Sequence, residues 1–313
     1  MSQDYLNSGG YDSYSFWGDI DEHVTRIKPV SKHSKNFYPS EASVVLTDEY
    51  GDRKVEGACL RKAFYRIKAF QPAPPRVYSE YIFQQGRDCE KAIINWAKER
   101  GRWVDNSHKF STSELGFPIK GELDGIFIEP HTGNLYIMEA KTFYGYYATK
   151  EIMGNYKQKG FPKMSHLLQL LLYVYLFRPN SGFNFTDYEI PYGRLVYWAR
   201  DNAANRKTFK VELKQEGEIF FPVVEGEVVR TFTVNDMIAR YRKLKEHLDN
   251  DEVPPRDFEH QYSPEKIRDF FEKGKVSKKA FGDWQKRKKV PGDPLCSPTY
   301  CPYFHHCYER ANL

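Results

Sequence analysis

The sequence has no uninterrupted apolar run near the roughly 18 residues that a membrane-spanning helix requires, and it opens without a basic-apolar leader. A chain outside the membrane is therefore expected, in the cytoplasm of a prokaryotic cell or a phage-infected host. No Gly-x4-Gly-Lys-Ser/Thr loop is present, so the chain is not itself an ATP motor, and any helicase would be a separate partner. No internal repeat is found. Cysteine is scarce and odd in number, five in 313 residues; that argues against a disulfide framework and for a reducing compartment. Neither sign of charge dominates: 47 Lys and Arg oppose 42 Asp and Glu, a net charge of +5 that by itself selects no partner. What the chain does have is 40% hydrophobic and 16% aromatic residues, enough for a sizeable core in one enlarged domain or in a core with an appended module.

The most informative stretch is Gly121-Glu122-Leu123-Asp124-Gly125, followed after a turn-like Pro130-His131-Thr132-Gly133-Asn134 by Met138-Glu139-Ala140-Lys141. Both flanks are β-prone, so a hairpin of adjacent strands is expected. Side chains alternate along a strand, which puts Glu139 and Lys141 on one side and Met138 and Ala140 on the other. Asp124 can face the first pair across the hairpin. Hard carboxylate oxygens beside an ammonium are what Mg2+- or Mn2+-dependent phosphodiester hydrolysis needs, the cation orienting the attacking water or lowering its pKa. The same charges are also compatible with a solvated surface hairpin.

Two further segments bear on that choice. Ser165 to Tyr175 is Leu-rich and too long for a strand, so a mostly buried helix is expected, with Gln169 and Tyr173 four apart on one face and His166 three residues before Gln169. Val77 to Arg100 has helical length and carries Gly86-Arg87-Asp88-Cys89-Glu90. The series Gly-x3-Glu, Gly-x-x-Asp-Gly, Glu-x-Lys and Gln-x3-Tyr, running from Gly86 to Tyr173, resembles the RecB-like branch of the PD-(D/E)XK nuclease superfamily. The resemblance implies a restriction-endonuclease-like α/β core, a central mixed sheet flanked by helices. It implies that Glu90, Asp124 and Glu139 hold Mg2+ or Mn2+, that Lys141 serves the nucleophilic water, and that Gln169 and Tyr173 support the site or contact DNA. Two positions depart from the family pattern: Glu90 stands where His is frequent, and Leu123 precedes Asp124 where Pro is frequent.

Three cysteines crowd into Cys296-x4-Cys301-x5-Cys307, and Cys59 stands far upstream at the start of an expected helix. Four thiolates suit either an iron–sulfur cluster or structural zinc, and His305 and His306 keep zinc open. One upstream and three C-terminal cysteines around a nuclease core resemble AddB-type nucleases and the RecB-like exonucleases associated with CRISPR adaptation, which implies a four-iron four-sulfur cluster. The family more often has x2 where this chain has x4. Cys89, beside Glu90, reads as a packed helix residue.

The expected organisation is an N-terminal arm at 1–55, a nuclease core at 56–250 and, at 251–313, a basic segment followed by the cysteine region. The first fifty residues show no sustained periodicity. Gly57 to Phe70 is an expected helix, separated from the next by Pro72, Pro74 and Pro75. The sheet is expected to begin near Trp103, with further strands at Tyr188 to Ala199 and Thr208 to Leu213 and an amphipathic helix at Val234 to Asp249. Eight cations between Lys273 and Lys289, with Phe281 and Trp284 among them, form either a nucleic-acid grip or a solvated helix and loop. The functional expectation is a metal-dependent deoxyribonuclease, an exonuclease by resemblance, acting on DNA ends or single strands in recombination, replication or CRISPR spacer processing. A catalytically silent DNA-binding module assembling with a partner is the alternative.

Overall fold

The computed structural model describes Asp21 and residues 34–74, 76–183, 185 and 188–308, with 105–107 described by backbone alone. The chain begins with a hairpin of β1 (Ser43–Thr47) and β2 (Arg53–Gly57), then α1 (Leu60–Ile67) and α2 (Val77–Glu99). The strands β3 (Trp103–Thr112), β4 (Ile119–Ile128) and β5 (Leu135–Phe143) follow. Next come α3 (Tyr146–Met153), the short hairpin of β6 (Gly154–Asn155) and β7 (Gln158–Lys159), and α4 (Met164–Phe177). β8 (Tyr192–Ala199), β9 (Arg206–Glu216), β10 (Ile219–Val224) and β11 (Glu227–Val228) precede α5 (Val234–Asp249), α6 (Pro264–Glu272), α7 (Lys278–Gln285) and α8 (Phe304–Tyr308).

Seven strands form one mixed sheet in the order β11-β10-β9-β8-β5-β4-β3, and β5 with β8 is its parallel pair. Parallel neighbours need a crossover connection, and here it contains α3, the β6–β7 hairpin and α4. The Leu-rich segment forms α4 because it is apolar on every side; its buried residues include Leu167, Leu168, Leu170, Leu171 and Leu172, the pattern of a helix enclosed by protein. It packs against β8, β9, β2 and α5. On the other face, Ile93, Ile94 and Ala97 of α2 cover Phe127, Met138 and Ala140. The architecture is therefore mixed α/β, a central mixed sheet flanked by helices.

The N-terminal region differs from the expected arm. Phe37 bridges to Ile119, and Phe37, Ala42 and Val44 are part of the main core. The β1–β2 hairpin straddles residue 55, closed by the Asp48 carboxylate accepting the N–H groups of Tyr50 and Asp52 at 2.9 and 3.0 Å. Strands this short carry too few alternations to reveal a period. Residues 1–20 and 22–33 of that arm lie outside the described residues. The helix expected from Gly57 starts at Leu60 because Gly57 has φ +96 and a Cβ there would lie 2.2 Å from the Ala42 carbonyl oxygen. Only glycine tolerates that approach.

After α5 the chain returns to α1. Asp257 caps Leu60 N–H at 2.7 Å and pairs with Arg240 at 2.8 Å, while Arg61 Nε donates to the Pro254 carbonyl at 2.7 Å. In the basic segment, Lys273 pairs with Asp52 and Lys275 with Asp48 and Asp52. Phe281 stacks on Phe271 with centroids 4.0 Å apart and lies 5.3 Å from Trp284. These aromatics pack α7 on α6, and Lys273 and Lys275 fasten the helices to the β1–β2 turn. Lys278, Lys279, Lys286, Arg287, Lys288 and Lys289 are exposed.

Candidate active site and thiol cavity

The β4–β5 ladder runs from Ile128 opposite Leu135 to Gly125 opposite Met138 and ends there, one residue short of Asp124 and Glu139. Meanwhile β5 stays paired with β8 through Phe143 and Ala199. Where the two strands part, the N–H of Ala140 donates to Asp124 Oδ2 at 2.8 Å. The aspartate thus sits in the gap, satisfying a donor that the ladder would otherwise have used.

Glu139 and Lys141 lie on the side of β5 opposite Met138 and Ala140, as alternation requires, and form an ion pair. Glu139 is 1% exposed, and among the described residues its second carboxylate oxygen, Oε2, has no hydrogen-bond partner. Burial, with the charge of Asp124, pushes the Glu139 carboxyl up to about 8. Glu90 approaches from α2 and shares a hydrogen bond with Asp124; burial and that neighbour push it up to about 7. Burial raises Asp124 as well. For Lys141, burial would lower the pKa, but Glu139 and Asp124 outweigh it and the ammonium is held above its ordinary value. Three carboxyls and one ammonium therefore converge, and the carboxyls are raised because Lys141 alone cannot keep all three ionised.

Gln169 and Tyr173 act as a brace. Gln169 Nε2 donates to Tyr173 Oη at 3.3 Å, and Tyr173 Oη donates to the Glu122 carbonyl at 3.0 Å, two residues before Asp124. Burial holds the Tyr173 phenol well above the usual range, so it stays a neutral donor. His166 accompanies them: Nδ1 is 2.9 Å from Tyr197 Oη, and burial, aided by Lys141 and Lys163, lowers it to about 3. Glu122 also belongs to the site, although no role is assigned to it from sequence. Half-exposed, it adds negative charge around Glu90 and Asp124, and its place in the Gly-x-x-Asp-Gly stretch was the available signal. Tyr197 gave no signal, since a β8 residue is distant in sequence.

Cys59, Cys296, Cys301 and Cys307 line one cavity of about 240 Å3 together with Tyr65, Tyr303 and Tyr308. Burial pushes the Cys59 thiol up to about 11 and also raises Cys296 and Cys301; the proximity of Cys307 acts in the same direction on all three. Cys89 is not among the lining residues. Neither are His305 and His306, and His306 Nε2 is engaged with the Gln71 carbonyl at 2.9 Å. Among the described residues no three His, Cys, Asp or Glu side chains already stand in a ligating arrangement. The donor chemistry nonetheless fits a bound cation at each place: an orphaned buried carboxylate oxygen in one, and four thiols lining a single cavity in the other.

No helix among the described residues is long and apolar enough to cross a membrane. No family model and no curated protein matches this sequence. Among solved structures, the chain is similar to the crystal structure of SSO0001, at 15% identity and a TM-score of 0.39, over 75% of this chain and 84% of that one; a likeness so remote carries no argument about fold or function.

Proposed function

We propose that the protein is a divalent-metal-dependent deoxyribonuclease of the RecB-like PD-(D/E)XK kind, with a restriction-endonuclease-like core. The carrying observation is the buried Glu139 carboxylate, its Oε2 without a partner, beside Asp124, Glu90 and Lys141 where β4 and β5 separate. Burying an unpaired carboxylate oxygen is unfavourable unless something compensates it. A cation held by Glu90, Asp124 and Glu139 would supply that compensation, and Mg2+ or Mn2+ would polarise the scissile phosphate and acidify water. Lys141, charged and ion-paired to Glu139, orients the water and stabilises negative charge growing on the phosphate. The Gln169–Tyr173 brace keeps Asp124 in register with Glu139 by holding the backbone of Glu122.

Cys59, Cys296, Cys301 and Cys307 would hold a four-iron four-sulfur cluster, with zinc the alternative that thiolate chemistry allows. Such a group would supply structural cross-linking, tying α1 to the C-terminal segment. DNA ends or single strands are the proposed substrate, and a helicase, recombination or CRISPR-adaptation assembly the proposed partner.

End-labelled single- and double-stranded DNA with Mg2+ or Mn2+ tests the reading. The parent should cleave and the Lys141→Ala and Asp124→Ala variants should lose cleavage while still binding DNA. Equal cleavage by either variant removes the assigned site; tight binding without cleavage by the parent identifies a silent binding module instead.

A further inference from the structure

The connection leaving the Glu-x-Lys strand exposes a cluster of aromatic rings. β5 ends at the buried Phe143; Tyr144, Tyr146 and Tyr147 follow at 63%, 73% and 85% exposure, and Tyr156 in the β6–β7 turn is 92% exposed. Extended chain rises about 3.3 Å per residue, so Tyr144 begins roughly 10 Å from Lys141. Gly145, at φ +85, turns the chain into α3, and this left-handed turn is strained for other residues. Tyr146 and Tyr147 then meet edge-on, centroids 5.6 Å apart and planes at 75°, so the exposed rings support each other.

The surroundings are tied to the catalytic strands. Arg200, just beyond β8, lies 5.9 Å from the Tyr144 ring centroid and donates through Nη1 to the Ile82 carbonyl of α2 at 3.1 Å. Gly145 N–H donates to Asp201 at 2.9 Å. The same half of α2 passes Thr142 at Gly86 and exposes Phe83 and Tyr78. Lys150 and Lys157 are exposed nearby in sequence, Lys157 5.3 Å from the Tyr156 ring centroid. Glu151 is exposed too, and Lys159 is held by Glu227.

From these rings and cations we infer that Tyr144, Tyr146 and Tyr147 form a stacking platform for unpaired bases of a strand whose phosphates enter the Glu90–Asp124–Glu139–Lys141 cluster. The inference rests on the nuclease reading for the identity of that cluster. Aromatic faces bind bases with little regard to sequence, and interspersed cations take the phosphates. A duplex keeps its base faces stacked internally, so the platform favours a single strand.

The test is fluorescence anisotropy with a labelled oligothymidylate, its duplex with oligoadenylate, and the same strand made abasic, all in metal-free buffer so that cleavage does not intervene. The Tyr146→Leu/Tyr147→Leu double variant should bind the single strand roughly 30-fold more weakly, two stacked bases at the low end of the usual contribution. Its duplex binding should be little changed. The Tyr146→Phe/Tyr147→Phe variant should bind as the parent does, and abasic DNA should lose affinity for the parent but not for the Leu variant. Parental single-strand affinity in the Leu variant, equal losses on duplex and single strand, or no single-strand binding by the parent would overturn the platform. Ring-dependent binding by a parent that never cleaves DNA keeps the platform and removes the nuclease reading; normal cleavage with ring-independent binding does the reverse.

Discussion

Glu139 concentrates the electrostatics of the site: one oxygen is ion-paired to Lys141, while the other is buried and has no partner among the described residues. If a cation compensates it, Mn2+ should raise the parent's unfolding temperature, by the equivalent of about 2.7 kcal/mol at a hundred times the dissociation constant. Glu139→Gln should lose that response yet stay near the parent's stability in chelator, because a carboxyl raised to about 8 is already largely neutral at pH 7 and the amide keeps an oxygen that can accept from Lys141. A large loss of stability in chelator would instead make Glu139 a structural partner of Lys141. His166 provides one component of the pH dependence. Its folded pKa, about 3, lies below the unfolded value near 6.5, so the unfolded chain binds the proton more tightly. The contribution of neutral His166 is therefore full above about pH 6.5 and declines as pH falls toward about 3. Urea unfolding of parent and His166→Gln should show a shallower acid dependence in the variant; identical slopes would refute the assignment. Which side of β5 each residue occupies was readable from alternation alone. That Asp124 would take the Ala140 N–H was not, since it depends on two strands parting one residue before the site.

At the scale of elements, composition decided α4. An all-round apolar segment can only be enclosed, and Leu171, fully buried on it, should cost about 2–5 kcal/mol as Leu171→Ala, read from the urea midpoint. The hairpin of β1 and β2 was not legible, because five-residue strands give no period and their pairing rests on Gly57 passing Ala42. The strand expected from Tyr188 begins instead at Tyr192, after Pro191, whose missing N–H cannot join a ladder. The basic segment carries a related lesson: its composition suits nucleic acid, but Phe281 packs on Phe271, and Lys273 and Lys275 are drawn to Asp52. Asp257 joins two elements by pairing with Arg240 and capping α1. Asp257→Ala would strand a largely buried guanidinium and should cost about 3–5 kcal/mol, measured by the same unfolding curves. A change below about 1 kcal/mol would show that water relieves the arginine.

Across the whole molecule, the four cavity cysteines bring residue 59 beside residues 296–307. Anaerobically purified protein should be brown and contain iron, and Cys59→Ala or Cys301→Ala should lose both colour and solubility. Stoichiometric zinc without iron would change the metal while leaving the nuclease proposal intact. Cleavage should persist in neither cysteine variant if the cluster ties the C-terminal segment to α1 and so supports the core on which α4 and β4 are positioned. A colourless, metal-free variant with parental activity would sever that link.

The sequence by itself determined the elements whose signals are local: the Leu-rich helix, the two strands of the carboxylate hairpin, the amphipathic Val234–Asp249 helix, and the common side of Glu139 and Lys141. These follow from periodicity and turn chemistry within about a dozen residues. Only the tertiary structure decided which long-range groups meet: Tyr173 on the Glu122 carbonyl, Asp257 on Leu60, four cysteines on one cavity, and the tyrosines beside β5 left in solvent. Burial and pairing between distant segments depend on how the layers close around the core, and no local period in the chain encodes that distance.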